Sequence, residues 1–162
     1  MRSALKVIAV WVCGVLLVIS AEGQSSWRSV AAETQNDLVA VYFTSSDSGW
    51  IAGDDGFLAS TNDGGRSWSK HDLKTTENIN EIYFRNDDNG YLVAGRKMFL
   101  TRDAGRTWQE TVLFRAGDFR NGTPEFLSIR FADKRRGVVV GSVLNRKGDV
   151  VDSLVMKTED GG

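Results

Sequence analysis

The sequence has 162 residues, of which 41% are hydrophobic and 25% charged, and its 20 Lys and Arg nearly balance 21 Asp and Glu to leave a formal net charge of −1. Nucleic-acid and membrane-surface binders usually carry an excess of one sign, so the overall charge gives no reason to expect either partner, and charge matters only locally. Seventeen glycines against a single proline mark globular, turn-rich material.

At the start, Arg2 and Lys6 precede an uncharged apolar run over residues 7–21, and Ala21-Glu22-Gly23 places small residues where a signal peptidase reads them. This is the layout of a secretory signal peptide, and the run falls short of the roughly 20 residues a membrane-spanning helix needs. The expectation is a signal peptide over 1–23 and export of 24–162 to a periplasmic or extracellular space, with retention as a membrane anchor as the alternative. The single cysteine, Cys13, lies inside this run, so the exported chain would hold no thiol, disulfide or Cys-ligated metal.

Beyond residue 23 the chain reads as short strands and turns. Trp27-Arg28-Ser29-Val30 resembles two later Ser/Thr-Trp segments and is expected to be an outgoing strand. Leu38–Phe43 is β-branched and aromatic, residues 45–49 are turn chemistry (Ser-Ser-Asp-Ser-Gly), and Trp50–Gly53 is apolar again. Asp54-Asp55-Gly56 makes a tight connection to a strand over 57–61, and a last strand is expected from Ser67 to about Leu73. The next unit repeats this order: strands over 81–85, 91–94, 98–101 and 106–112, with a turn over 86–90 and a bend over 95–97. A third unit has strands over 126–132 and 137–143, a longer polar hairpin over 144–152, and a strand over 153–158.

The repeat is explicit in two eight-residue phrases, Thr61-Asn-Asp-Gly-Gly-Arg-Ser-Trp68 and Thr101-Arg-Asp-Ala-Gly-Arg-Thr-Trp108, and a third begins at Thr158-Glu-Asp160. Phe43, Phe84 and Phe131 each precede a glycine, Gly49, Gly90 and Gly137, at the same spacing. A period of about 40 to 50 residues with β patterning is the mark of propeller blades. The predicted fold is therefore all-β: a partial β-propeller over 24–162 with about three four-stranded antiparallel blades. Their units span about 27–73, 74–113 and 114–162, the last incomplete.

Within the phrase, Asp63 and Asp103 are suited to accept hydrogen bonds from following backbone N–H groups in a self-satisfied turn. Gly65 and Gly105 suit positive φ. Trp68 and Trp108 supply large apolar area beside a polar N–H, which suits packing between blades. One acid per repeat at a fixed place is a fold device rather than a catalytic or metal-binding one, so Thr61, Asp63, Gly65, Trp68, Thr101, Asp103, Gly105, Trp108, Thr158 and Asp160 are expected to be structural.

The phrase resembles the Asp-box, or bacterial neuraminidase repeat, of sialidases, sortilin-type receptor domains and photosystem II assembly and stability factors. The longer pattern over 38–162 combines Tyr-Phe, Gly-Trp or Gly-Tyr, Ala-Gly and Phe-Leu-x-Ser-Thr-Asn-Asp-Gly-Gly-Arg-Ser-Trp. It is most similar to the photosystem II assembly-factor family and its bacterial relatives. The resemblance implies a lumenal or periplasmic propeller that binds membrane-protein assembly intermediates and catalyses no reaction. The sequence departs from that pattern in being short, since a closed propeller takes at least about four blades; a truncated or partial chain is expected.

The leading functional expectation is a non-enzymatic protein-interaction module. A local basic excess, Arg115, Arg120, Arg130, Lys134, Arg135 and Arg136 with Arg146 and Lys147, is the candidate partner surface; the alternative is solvated turn charge, because residues 134–136 occupy a turn position. The enzyme alternative is a fragment of a sialidase-like glycoside hydrolase, which would need paired carboxylates or a Tyr nucleophile with Arg clamps. Tyr42, Tyr83 and Tyr91 sit at repeat-equivalent positions that packing explains, and His71 is expected at the surface. Asn121-Gly-Thr123 matches a glycosylation acceptor but is followed by Pro124. No motif for a cofactor, metal, nucleotide or small-molecule substrate is present in the sequence.

Overall fold

The computed structural model describes residues 26–115, 117–119 and 122–162. The expected signal peptide, Arg120 and Asn121 lie outside these residues. Three antiparallel sheets follow one another along the chain. The first orders β1 (Leu38–Phe43), β2 (Gly49–Gly53), β3 (Leu58–Thr61) and β4 (Ser69–His71). The second repeats it with β5 (Ile79–Phe84), β6 (Gly90–Ala94), β7 (Lys97–Thr101) and β8 (Gln109–Thr111). The third holds β9 (Thr123–Phe131), β10 (Gly137–Leu144) and β11 (Val150–Thr158), the three strands expected of the incomplete unit.

The repeated anchors set a common register. Phe43 faces Gly49 and Gly49 faces Thr61; Phe84, Gly90 and Thr101 align in the same way, as do Phe131, Gly137 and Thr158. The spacing from Phe to Gly has a steric cause. In each sheet the phenyl ring folds over the facing glycine, where an added Cβ would lie 2.7 Å from ring carbons of Phe43, Phe84 or Phe131. A side chain there would evict the ring.

Strand β1 adjoins β5, and β5 adjoins β9, so the first strand of every sheet lies along one inner edge and the sheets stack as successive blades. Apolar side chains from facing sheets fill each seam. Trp50, Ala52 and Leu58 of the first sheet join Ile79, Ile82, Phe84, Leu92 and Phe99 of the second. Tyr91, Val93 and Met98 on the second sheet's other face join Phe126, Ile129, Val139 and Leu154 of the third. Strands flanked on both sides within their own sheets are the most buried: β2 and β6 are buried at every residue, while the edge strands β1 and β11 are mostly exposed.

Several boundaries differ from the sequence reading. Residues 26–37 contain no strand, and Trp27 is 94% exposed. Strand β4 stops at His71 because Asp72 accepts the Lys74 N–H at 2.9 Å and Lys74 turns to φ 56°, which breaks the extended path. Strand β8 is likewise only three residues long. The segment over 144–152, expected to be a long polar hairpin, instead continues the ladder until Leu144 faces Val150, leaving a short turn in which Asn145 accepts the Lys147 and Asp149 N–H groups.

Candidate interaction surfaces

The two complete Asp-box phrases form the same turn. Thr61 donates to Asp63 Oδ1 at 2.7 Å and accepts the Gly65 N–H at 2.9 Å. Asp63 in turn accepts the Arg66 and Ser67 N–H groups at 2.8 and 3.0 Å and the Ser67 hydroxyl at 2.6 Å. In the second phrase Asp103 accepts from Thr101 at 2.8 Å, from the Thr107 N–H at 2.9 Å and from its hydroxyl at 2.6 Å, and Gly105 donates to Thr101 at 2.8 Å. The third phrase starts identically: Thr158 donates to Asp160 at 2.6 Å and accepts the Gly162 N–H at 3.0 Å. Donors aimed at a carboxylate stabilise its charged form. The Thr107 hydroxyl, the Thr107 N–H and the Thr101 hydroxyl hold Asp103 down to about 2, and the equivalent Ser67 and Thr61 donors hold Asp63 well below the usual carboxylate range.

The two tryptophans of the phrase do different work. Trp108 lies in the seam between the first two sheets, edge-on to Trp50 at 5.8 Å and to Phe84 at 5.9 Å between ring centroids, and among the described residues its indole N–H has no hydrogen-bond partner. Trp68 was expected in such a seam as well. It packs instead on its own sheet, at 6.4 Å from Phe43 and against Ile51, Phe57 and Ala59, on the face that among the described residues meets no other sheet. The second seam places Tyr91 where the first has Trp50. Tyr91 stacks on Phe131 at 4.5 Å and donates to the Gly161 carbonyl at 3.0 Å, while the Arg85 guanidinium lies over both rings.

Every box turn docks on the first hairpin turn of its own sheet. Gly64 donates to the Asp47 carbonyl, Ala104 to that of Asp88 and Gly161 to that of Arg135, each at 2.9 Å. Box turns and hairpin turns therefore share one end of the blade array. A cleft of about 570 Å³ opens there between the first two sheets, with Trp50, Ser60, His71, Asp87 and Arg106 in its wall. His71, expected at the surface, is half-buried against Trp50 at 4.9 Å between ring centroids, with Nε2 2.8 Å from Ser60 Oγ. The period of two along β4 puts His71 on the same face as Ser69 and hence diagonal to Ser60, a signal present in the strand pattern. Burial pushes the imidazole below its ordinary value. Among the described residues no group of three His, Cys, Asp or Glu side chains is placed to hold a metal ion.

The family model of the photosynthesis system II assembly factor YCF48 matches the chain twice, over 19–113 and 66–162. The chain belongs to the YCF48 family. Solved structures agree on the fold. "YCF48 bound to D1 peptide" is 22% identical with a TM-score of 0.62 over 82% of this chain, and YCF48 from Cyanidioschyzon merolae is 21% identical with a TM-score of 0.60 over 85%. The chain spans only 40% and 38% of those two structures. A comparison with curated proteins finds no match. The three sheets are thus blades of a YCF48-type β-propeller.

On this YCF48 framework the basic residues separate. Strand β9 runs toward the box end and β10 runs back, so Lys134, Arg135 and Arg136, in the turn between them, lie at the box end. The backbone N–H of Arg136, that of Arg135 and the Arg136 guanidinium hold Asp133 down to about 2, so two of the three arginine and lysine backbones are fixed by one carboxylate. Arg135 also donates through Nε to the Glu159 carbonyl at 3.0 Å, tying the basic turn to the third box. Arg115, before β9, and Arg146 and Lys147, after β10, belong to the opposite end. Arg130 lies on β9, pairs with Glu81 of β5 and covers the Tyr83 ring at 5.3 Å, so it bridges two blades.

Proposed function

We propose that this chain is a non-enzymatic protein-binding module of the YCF48 kind, exported by its signal peptide, whose partner is a peptide segment of a membrane protein undergoing assembly. The observation that carries the reading is the box-end cleft. A groove of about 570 Å³ is the size of a ligand site, and its wall combines aromatic surface from Trp50 and His71 with hydrogen-bonding and charged groups from Ser60, Asp87 and Arg106. That mixture suits an extended peptide, which brings both side chains and backbone amides. A relative in the same family is described as bound to D1 peptide. The basic turn at Lys134–Arg136 lies at the same end and would steer an acidic segment toward it.

The test is fluorescence anisotropy of a labelled D1 peptide titrated with the chain. Saturable binding is expected, with Arg106→Ala weakening it about tenfold, equivalent to about 1.4 kcal/mol. Absence of binding by a folded chain, or equal binding by the variant, would sink the assignment. Export has its own check: N-terminal sequencing of chain secreted from a bacterial host should begin at Gln24.

A further inference from the structure

The two seams reach the box end with one backbone and different side chains. Phe43, Phe84 and Phe131 stand at one register position, facing Gly49, Gly90 and Gly137. Thr44 and Arg85 are therefore equivalent, as are Trp50 and Tyr91, and Asp87 and Lys134. In the second seam Arg85 crosses to the next blade. Its guanidinium lies 5.9 Å from the centre of the Tyr91 ring and 5.3 Å from that of Phe131, and it donates to the Lys134 carbonyl. A planar cation laid on aromatic faces and held by a carbonyl oxygen is an arrangement that suits arginine.

In the first seam the same place is open. Thr44 donates back to the Ser48 carbonyl at 3.3 Å and is too short to cross to the second blade. The ring pair persists as Trp50 and Phe84, 6.1 Å apart and inclined by 25°. The cleft of about 570 Å³ lies here, with Thr44, Trp50 and Asp87 in its wall. Asp87 adds what the second seam lacks, a carboxylate at the position of Lys134. It is exposed and, among the described residues, takes part in no ion pair. Arg106, the cation of the same wall, is exposed and its charge acts on Asp103 of its own box.

We propose that this seat takes the guanidinium of an arginine presented by the partner peptide, laid against Trp50 and paired with Asp87, and that Thr44 is the residue that keeps the seat open. The inference rests on the peptide-cleft reading and narrows it to an arginine-bearing segment. Arg85 displays the bound geometry from within the chain. The charge of the occupant follows from Asp87 and its shape from the ring pair, since a guanidinium stacks and donates in one plane whereas an ammonium is a compact point charge. Residues flanking that arginine would meet Arg106 and the Lys134–Arg136 turn, so an acidic flank complements the rim. Protonated His71 would add a second cation to the wall and oppose the occupant.

The test titrates N-acetyl-L-arginine amide into the whole chain at a pH where His71 is neutral. The imidazole resonances of that single histidine, in the same wall, report occupancy. A saturable shift is expected, with N-acetyl-L-citrulline amide, similar in shape but uncharged, and N-acetyl-L-lysine amide each about tenfold weaker or more. Asp87→Asn, on an exposed turn, should weaken arginine about tenfold. Thr44→Arg supplies the guanidinium from the chain itself and should abolish the shift without lowering the thermal midpoint; if that variant does not fold, Asp87→Asn still decides. No shift with arginine, equal binding of the three amides, or undiminished binding by Asp87→Asn overturns the seat. The D1 peptide separates this inference from the reading beneath it. Equal peptide binding by the parent and a folded Thr44→Arg chain overturns the seat and leaves peptide binding standing, whereas arginine binding with no peptide binding supports the seat and overturns the D1 assignment.

Discussion

The two seams between blades use one backbone device and fill it differently. In the first, Trp50 of one blade meets Gly105 and Trp108 of the next, with indole against indole. In the second, Tyr91 and Phe131 stack, Arg85 covers them, and the Tyr91 hydroxyl reaches Gly161. The turn holds its shape through Thr and Asp hydrogen bonds in both, so its geometry is independent of what packs behind it. The aromatic filling decides how tightly neighbouring blades are joined, and the first seam should be the less tolerant of change.

The largest contrast is between the two tryptophans. Trp108→Ala removes a half-buried indole that touches both blades and should cost about 2–4 kcal/mol in denaturant unfolding, toward the lower part of the range for truncating a large aromatic. Trp68→Ala removes an indole that packs on its own sheet only and should cost about 1–2 kcal/mol. Equal losses would mean that the seams contribute no more than the outer face.

The glycines sharpen the same comparison. Both Gly65 and Gly105 have positive φ, 85° and 84°, so a side chain at either carries left-handed strain of about 1–2 kcal/mol. At Gly105 a Cβ would also lie 2.2 Å from Trp50 Cζ2, whereas at Gly65 the nearest atom, Trp68 Cζ2, is 3.3 Å away. Gly105→Ala should therefore destabilise by a further 1–3 kcal/mol or so, the usual range for overpacking. Thermal unfolding of the two alanine variants would separate strain from collision.

These contrasts also show what could be read in advance. Repeat spacing marked Phe84 and Gly90 as matched anchors and read the box phrase as a turn around its Asp, because both patterns are written within a few residues, whereas the stacking of the ring on the glycine is visible only in the fold. It treated Trp68 and Trp108 as equals, since identical phrases carry no information about whether another sheet lies alongside. The basic residues failed as one surface for a related reason. Residues 115 to 147 are close in sequence, but β9 and β10 traverse the sheet between Arg115, Lys134 and Arg146, which carries them to alternate ends. Strand ends were misjudged where a side chain intervened, as Asp72 does after β4.

Acid should act on the box turns before it acts on the seams. The folded value of Asp103 lies near 2, below the ordinary 3.8, so its hydrogen bonds contribute fully above about pH 4 and are lost as pH falls toward 2. Asp63 follows the same direction. Asp103→Asn should lower stability at neutral pH and flatten the pH dependence between about 4 and 2, read from denaturant midpoints. An unchanged acid slope would remove Asp103 as its source.

The smallest effect belongs to His71, which distinguishes the first blade from the second because Thr111 holds its place in β8. Burial against Trp50 disfavours the imidazolium, so the folded value lies below the ordinary 6.5. The sign follows: stability is complete above pH 6.5 and declines as pH falls through the folded value, the reverse of a histidine held by a carboxylate. His71 is the single histidine in the sequence, so one imidazole resonance reports it without ambiguity. Its NMR midpoint should fall below 6.5 and rise toward that value in Trp50→Ala, where the covering ring is gone. A midpoint above 6.5 would mean that a negative charge, such as Asp87 across the cleft, governs this site rather than the indole.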